Sequence, residues 1–473
     1  MSVQYDFTSG SGATFETVNP ARPQEIVGRY SWTDEAEIPG IIERANTAQA
    51  AWAKVPGLER GARLDAFLNA VVANADRIAE AITLEQGKIL AEARGETMKG
   101  ATEGRFMVGE AARMGSTPIA TGRPNFSNQI LRRPRGTIFC ISPWNFPAMT
   151  PLRKMCPAIA FGNAVIFKPS QFTPAANYIL CEIAREFFPA GLVQMAMIGG
   201  RQASEMIATR DIQGVSFTGS VSTGRLVGKA AAENLIPAQL ELGGKNAAIL
   251  NDCHDLDHAV TQIYGAAFQT GGQRCTSISR VLVQRGLAND AKILFVEKAN
   301  AAILGDGMDP ASTMGPLCNG PHWQDVISMT ATAINEGAVP LTGGAAPDGA
   351  GADGGYFYPP TILDNVEHDS TAGQVEIFGP VLSILEYDDF DDALRIMNGT
   401  EFGLTSALFS NRNNLVQRFL AESRNGMMHV NHGTVPDNNM PFGGIRNSGV
   451  GAYSVGPTAI NFYTSEHAAY VAY

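Results

Sequence analysis

From Gly136 onward the chain alternates short apolar runs with helical stretches, and no other feature restricts its fold so tightly. Thr137-Ile138-Phe139-Cys140-Ile141, Ala164-Val165-Ile166-Phe167 and Gln194-Met195-Ala196-Met197-Ile198 read as strands covered on both faces. Val215-Ser216-Phe217 and Gln239-Leu240-Glu241-Leu242 extend the series, with helices expected over 150–161, 174–187, 202–209 and 222–233. That rhythm builds a parallel sheet with crossover helices on its faces. A second block runs through Asn246-Ala247-Ala248-Ile249-Leu250, Arg280-Val281-Leu282-Val283, Val381-Leu382-Ser383-Ile384-Leu385, Ala407-Leu408-Phe409 and Met427-Met428-His429-Val430. A chain of 473 residues also exceeds one ordinary core. The expected fold class is α/β, with two open Rossmann-like domains meeting near Gly243-Gly244.

Upstream, Leu64, Phe67, Leu68, Val71, Val72, Ala75, Ile78 and Ile82 recur at helical spacing, and a second helical stretch runs from Glu85 to Met114. Residues 117–135 and the C-terminal segment, with Phe462, Tyr463, Tyr470 and Tyr473, fit neither domain and read as extended strands open to pairing with another subunit. The Gly/Ala/Asp-rich stretch 343–355 reads as a mobile surface loop.

Composition excludes several classes. Hydrophobic residues at 45% and charged residues at 17% suit a globular enzyme rather than a disordered chain. The net charge is −11 with no lysine or arginine run, which argues against a nucleic-acid partner. Nothing approaches the roughly 18 uninterrupted apolar residues of a membrane span. The six cysteines form no Cys-x-x-Cys pair and mostly lie in apolar segments, which fits reduced thiols. Met1–Phe7 has neither a basic nor an apolar stretch, so a cytoplasmic location is expected.

The chemistry centres on Cys275, in the glycine-bearing loop Gly271-Gly272-Gln273-Arg274-Cys275-Thr276-Ser277. Upstream lies Glu241-Leu242-Gly243-Gly244-Lys245, a carboxylate at a strand end. A thiol and a carboxylate on glycine-freed backbones suit covalent catalysis followed by activation of water. Phe217-Thr218-Gly219-Ser220-Val221-Ser222-Thr223-Gly224 runs from strand through a glycine turn into a helix start, where N–H groups and Ser220 could hold a pyrophosphate. It is neither Gly-x-Gly-x-x-Gly nor a Walker A loop, and a plain N-capped helix explains the segment equally well. Lys168, closing a strand before Pro169-Ser170-Gln171, faces the crevice where a ribose would lie, or is an ordinary solvated lysine. Two prolines stiffen Pro143-Trp144-Asn145-Phe146-Pro147, and a fixed Asn145 amide could donate to an oxyanion, though a structural turn reads as well locally.

Ile141-Ser142-Pro143-Trp144-Asn145-Phe146-Pro147, Phe217-Thr218-Gly219-Ser220, Glu241-Leu242-Gly243-Gly244-Lys245, Gly272-Gln273-Arg274-Cys275, Glu376-Ile377-Phe378-Gly379-Pro380 and Pro441-Phe442-Gly443-Gly444-Ile445-Arg446-Asn447-Ser448-Gly449 appear in that order. Together they resemble the aldehyde dehydrogenase superfamily over nearly the whole chain, nearest in look to succinate-semialdehyde and ketoglutarate-semialdehyde dehydrogenases. The resemblance implies Cys275 as nucleophile, Glu241 as the base that activates water, and Asn145 as an oxyanion donor beside the Cys275 N–H. It implies an NAD or NADP site built from Ile141, Trp144, Lys168, Ser170, Gln171, Gly219, Ser220, Gly243, Glu376 and Phe378. It also implies a coenzyme-binding domain of 1–116 and 136–243, a catalytic domain of 244–446, and an oligomerisation arm of 117–135 and 447–473. A homodimer or homotetramer acting on a small aldehyde, through a cysteine thiohemiacetal and a thioester, is then expected.

Departures from the family pattern refine this. Many NAD-preferring members carry glutamate where this chain has Gln171, so a 2′-phosphate meets no repelling charge there. Arg446 replaces a commoner lysine, and Ala452-Tyr453-Ser454-Val455-Gly456 replaces a glycine- and glutamate-containing stretch at the tunnel wall. Arg153 matches an arginine that succinate-semialdehyde dehydrogenases set against the substrate carboxylate, and a helix-surface salt bridge is the competing reading. Asp252, His254, Asp255, Asp257 and His258 are better explained as capping of a helix start than as metal ligands, so no metal is expected. His429 and His432 read as structural. A CoA-acylating dehydrogenase is the enzymatic alternative, which Glu241 argues against; a silent oligomeric scaffold is the other.

Overall fold

The computed structural model describes residues 3–473. Five parallel strands form one sheet in the order Ala238–Glu241, Gly214–Thr218, Thr137–Ile141, Ala164–Lys168, Val193–Met195. Every residue of Thr137–Ile141 is buried, as an apolar run covered on both faces requires. The strand order reverses between Thr137–Ile141 and Gly214–Thr218, and in open α/β sheets such a reversal opens a crevice at the carboxyl ends.

A second sheet of seven strands runs Val339–Thr342, Thr361–Asp364, Val381–Tyr387, Arg280–Gln284, Ala247–Leu250, Thr405–Phe409, Met427–Val430, antiparallel only at its first pair. The chain crosses between the sheets over Leu242–Asn246, with Glu241 ending one strand and Ala247 beginning the next. Asn246 fastens that crossing: its Nδ2 donates to the carbonyls of Cys275 (2.7 Å) and Ser277 (2.8 Å).

Helix Met149–Ala160 is buried at every position although it carries Arg153 and Lys154. Two cations removed from water need partners or they destabilise the fold. Arg153 has Glu103, and Lys154 donates to Ser216 Oγ at 2.9 Å.

Several expectations differ from what forms. The apolar spacing from Leu64 to Ile82 spans two helices, Gly57–Ala73 and Ala75–Gln86, broken at Asn74. The N-terminal region holds a three-stranded sheet of Tyr5–Phe7, Thr14–Asn19 and Arg22–Ser31. Of the segment expected as an arm at the C-terminus, Thr464–Ala472 pairs with Phe126–Pro134, which also pairs with Ser116–Ile119. Gly449–Val450 instead adds an antiparallel edge to the first sheet, with Gly449 opposite Glu241. Asp255 caps helix Leu256–Phe268, its side chain accepting from His258 N at 2.9 Å. Among the described residues no helix is long and apolar enough to cross a membrane.

Candidate active site

A cavity of about 650 Å³ opens where the two sheets meet. Cys275, Glu241, Asn145, Arg153, Trp144, Gly219, Ser220, Gly243, Glu376 and Phe378 all line it. Residues from well-separated parts of the sequence therefore share one space. Ile141, Lys168, Ser170 and Gln171 lie outside its lining, at the carboxyl ends of adjacent strands, with Ile141 opposite Lys168 in register.

Cys275 follows a strained turn. Thr270, Gly271 and Gly272 have φ of 59°, 59° and 70°, and a β-branched residue pays to sit in that region. A Cβ on Gly272 would come within 2.1 Å of the Gly379 carbonyl, so only glycine allows the loop this close to the second sheet. Glu92 Oε1 holds the turn by accepting from Thr270 N at 2.8 Å. Burial pushes the Cys275 thiol up to about 11; the nearby Arg153 pulls it down, and Glu376 and Glu241 push it further up. The resting thiol is therefore protonated at neutral pH.

Glu241 is 5% exposed, and its Oε2 has no hydrogen-bond partner. Burial raises its carboxyl to about 8, against the pull of Lys154 and Arg153. A carboxyl poised there can take a proton near neutral pH, as a general base requires. Asn145 Nδ2 donates to the Gln273 carbonyl at 2.9 Å, which leaves the second amide proton for a ligand.

Arg153 is neither a surface group nor free. Its Nε and Nη2 form a two-pronged bond with the Glu103 carboxylate (2.9 and 2.8 Å), and its guanidinium lies 4.0 Å from the centre of the Phe442 ring. Nη1 takes part in neither bond.

On the other side, Ser220 caps helix Val221–Glu233, its Oγ accepting from Thr223 N at 3.3 Å. An exposed helix start of this kind favours a phosphate. Glu376 Oε1 accepts from Gly244 N at 3.0 Å, and a Cβ on Gly243 would lie 1.9 Å from Glu376 Oε2. Phe378 has φ of 58°, and its ring stands edge-on to Trp144, centroids 5.6 Å apart. The strand-order reversal and the exposed helix start at Ser220 are features of a nucleotide-binding crevice.

Sequence reasoning missed His322, which accepts no role from any motif yet packs 5.0 Å from Trp144 and 5.9 Å from Phe378. Its Nε2 lies 2.9 Å from the Phe378 carbonyl, and burial lowers its pKa to about 4, so the ring is neutral. It also missed Lys88, Glu92, Glu96 and Glu103, each of which has a partner at least 50 residues away.

The chain is similar to known proteins over nearly its whole length. The family model described as Aldehyde dehydrogenase family matches residues 7–468. An alpha-ketoglutaric semialdehyde dehydrogenase of Bacillus subtilis is 33% identical over 461 residues, covering 97% of this chain and 94% of that protein. A succinate-semialdehyde dehydrogenase [NADP(+)] of Deinococcus radiodurans is 32% identical over 438 residues, covering 92% of this chain and 91% of that protein. The crystal structure of an NAD-dependent aldehyde dehydrogenase from Sinorhizobium meliloti superposes with a TM-score of 0.95 at 28% identity, over 99% of this chain and 95% of that one. The coenzyme is NAD or NADP, and the chain belongs to the aldehyde dehydrogenase family as an aldehyde-oxidising enzyme.

Proposed function

We propose that the enzyme oxidises a short, acidic semialdehyde to its carboxylic acid through a thiohemiacetal and a thioester on Cys275. The observation that carries this is the convergence of Cys275, Glu241 and Asn145 on one cavity. The Cys275 S–H proton passes to solvent water, Sγ bonds to the aldehyde carbon, and the C=O electron pair moves onto oxygen to give an alkoxide. Asn145 Nδ2 and the Cys275 N–H stabilise that charge, each such donor commonly contributing about 3–4 kcal/mol. The chemistry that NAD or NADP would supply when bound is a hydride acceptor facing this carbon, and loss of the hydride would leave an acyl group on sulfur. Glu241 then takes a proton from water, the water oxygen bonds to the acyl carbon, and the C–S bond breaks to release the acid. Ser220, Lys168, Ser170 and Gln171 would hold the adenosine and phosphate side of the coenzyme, Glu376, Trp144 and Phe378 its other end, with Ile141, Gly219 and Gly243 as backbone walls.

Arg153 supports the acidic substrate. Glu103 uses Nε and Nη2, and Nη1 remains for a carboxylate at the far end of the aldehyde. The names of the B. subtilis and D. radiodurans relatives agree with such a substrate. Strand Thr464–Ala472 and its pairing with Phe126–Pro134, with Tyr470 and Tyr473 exposed, supports a homodimer or homotetramer assembled through this arm.

A panel of aldehydes with each coenzyme tests the reading. Succinic semialdehyde should exceed a neutral aldehyde of equal length in kcat/KM by about tenfold or more, the scale of one charge-assisted hydrogen bond. Arg153→Ala paired with Glu103→Ala, so that no buried carboxylate is stranded, should remove most of that advantage. Equal kcat/KM for the two aldehydes in the unmodified enzyme would reject the acidic substrate.

A further inference from the structure

Lys88 and Glu96 form an ion pair with side chains 0% and 1% exposed, and none of the steps above uses either residue. Lys88 Nζ donates to Glu96 Oε2 at 2.6 Å and to the Asn145 carbonyl at 2.6 Å. It also lies 4.1 Å from the centre of the Phe146 ring. An ammonium has three protons to place, and these three partners take them. Glu96 Oε1 accepts from Ala148 N at 2.8 Å and from Met149 N at 3.1 Å.

Those two N–H groups stand at the start of helix Met149–Ala160, which has no side-chain cap of its own. Glu96 therefore supplies the cap from helix Leu90–Arg113, and Lys88 holds the same segment at Asn145. The pair grips 145–149 at both ends. Asn145 itself has one side-chain bond, to the Gln273 carbonyl, so the direction of its amide depends on how firmly its backbone is held.

Fold stability alone does not account for such a pair. Buried ion pairs exchanged for apolar groups of similar volume are often neutral or stabilising, so what the pair fixes matters more than what it adds. We infer that Lys88 and Glu96 are positioning residues that fix the Asn145 amide where the alkoxide on Cys275 forms, an inference that rests on the oxyanion reading of Asn145. A shift of about 1 Å in such a group can cost about 100-fold in rate.

The test is a kinetic double-mutant cycle on the full-length enzyme, with rates normalised to folded protein. Lys88→Met alone strands a buried carboxylate and is open to misfolding, so the variant of choice is Lys88→Met with Glu96→Gln. The glutamine oxygen can still cap Ala148 and Met149, and no buried charge is left alone. In the unmodified background this double variant should lower kcat by about 30-fold or more, with the coenzyme KM within about threefold. In an Asn145→Ala background, already slow, the same two substitutions should cost less than about threefold, because the group they position is gone. A loss of equal size in both backgrounds, or a kcat within twofold of the unmodified enzyme, would overturn the inference alone. Asn145→Ala at full rate would overturn the oxyanion reading and the inference with it.

Discussion

Glu96 and Glu241 are buried to the same degree, at 4% and 5% exposure, yet their surroundings differ in one respect. Both oxygens of Glu96 have partners, one in an ammonium and the other in two backbone N–H groups. Glu241 Oε2 has none. A carboxylate whose two oxygens both accept hydrogen bonds is held still. One with a buried oxygen left without a partner is costly to ionise, and that cost raises its pKa to where a proton can come and go. The contrast separates a carboxylate that builds from one that reacts.

The cavity side of the contrast breaks most completely at Cys275. Cys275→Ala should reduce kcat/KM for aldehyde oxidation by at least about 10⁴-fold, the scale seen when a covalent nucleophile is removed. Coenzyme affinity, measured by fluorescence titration, should stay within about twofold. Retained oxidation would end the thiohemiacetal reading.

Glu241 and Glu96 should then part in opposite directions. Glu241→Gln should lower kcat by about 10²–10³-fold while a first-turnover burst of reduced coenzyme survives, since acylation precedes the water step. Loss of burst and steady state together would assign Glu241 to thiol activation instead. Stability gives the second readout. The folded-state carboxyl sits near 8 against an ordinary 4.5, so the stability it contributes is full below about pH 4.5 and is lost as pH rises through 8. Glutamine never ionises, so Glu241→Gln should gain several degrees in Tm over the unmodified enzyme at pH 9 and much less at pH 5. Glu96→Gln, which deprives buried Lys88 of its counter-charge, should lose Tm at both pH values. A shared sign for the two variants at pH 9 would erase the distinction between them.

The same contrast explains what the sequence made legible. Cys275, Glu241 and Asn145 each sit in a short segment whose glycines or prolines mark a backbone shaped for a purpose. Strands such as Thr137–Ile141 are equally plain, because burial on both faces leaves a continuous apolar run. The anchoring groups leave no such trace. Lys88 and Glu96 stand eight residues apart, their shared target lies beyond residue 144, and a charge in a stretch that reads as helical is taken by default for a solvated face. A salt bridge was one of the two readings of Arg153, but neither its partner nor its burial was visible, since Glu103 lies fifty positions earlier. Two details of the fold were missed for related reasons. Val339–Thr342 is an exposed edge strand containing Pro340, which weakens the pattern that marks a strand. Apolar spacing runs straight across Asn74, because both helices pack against helices Leu90–Arg113 and Ala175–Phe187 although the backbone breaks between them.

A third carboxylate, placed where water reaches it, should have the smallest effect. Gln171 is exposed and lies three residues beyond Lys168, at the strand end where a coenzyme ribose is proposed to sit. Gln171→Glu puts a negative charge beside the position of a 2′-phosphate, which carries close to two charges of its own. In water two unit charges about 4 Å apart repel by about 1 kcal/mol, so the doubly charged group should lose between about 5- and 30-fold in affinity. The KM for NADP should rise by that factor, and the KM for NAD, which lacks the phosphate, should move less than about twofold. Because this charge is solvated, unlike Glu96 or Glu241, added salt should shrink the effect, since the screening length falls to about 3 Å at 1 M. A shift that survives high salt would mean that residue 171 acts through a direct contact rather than through its field. Equal shifts for both coenzymes would move the 2′-position away from this strand end.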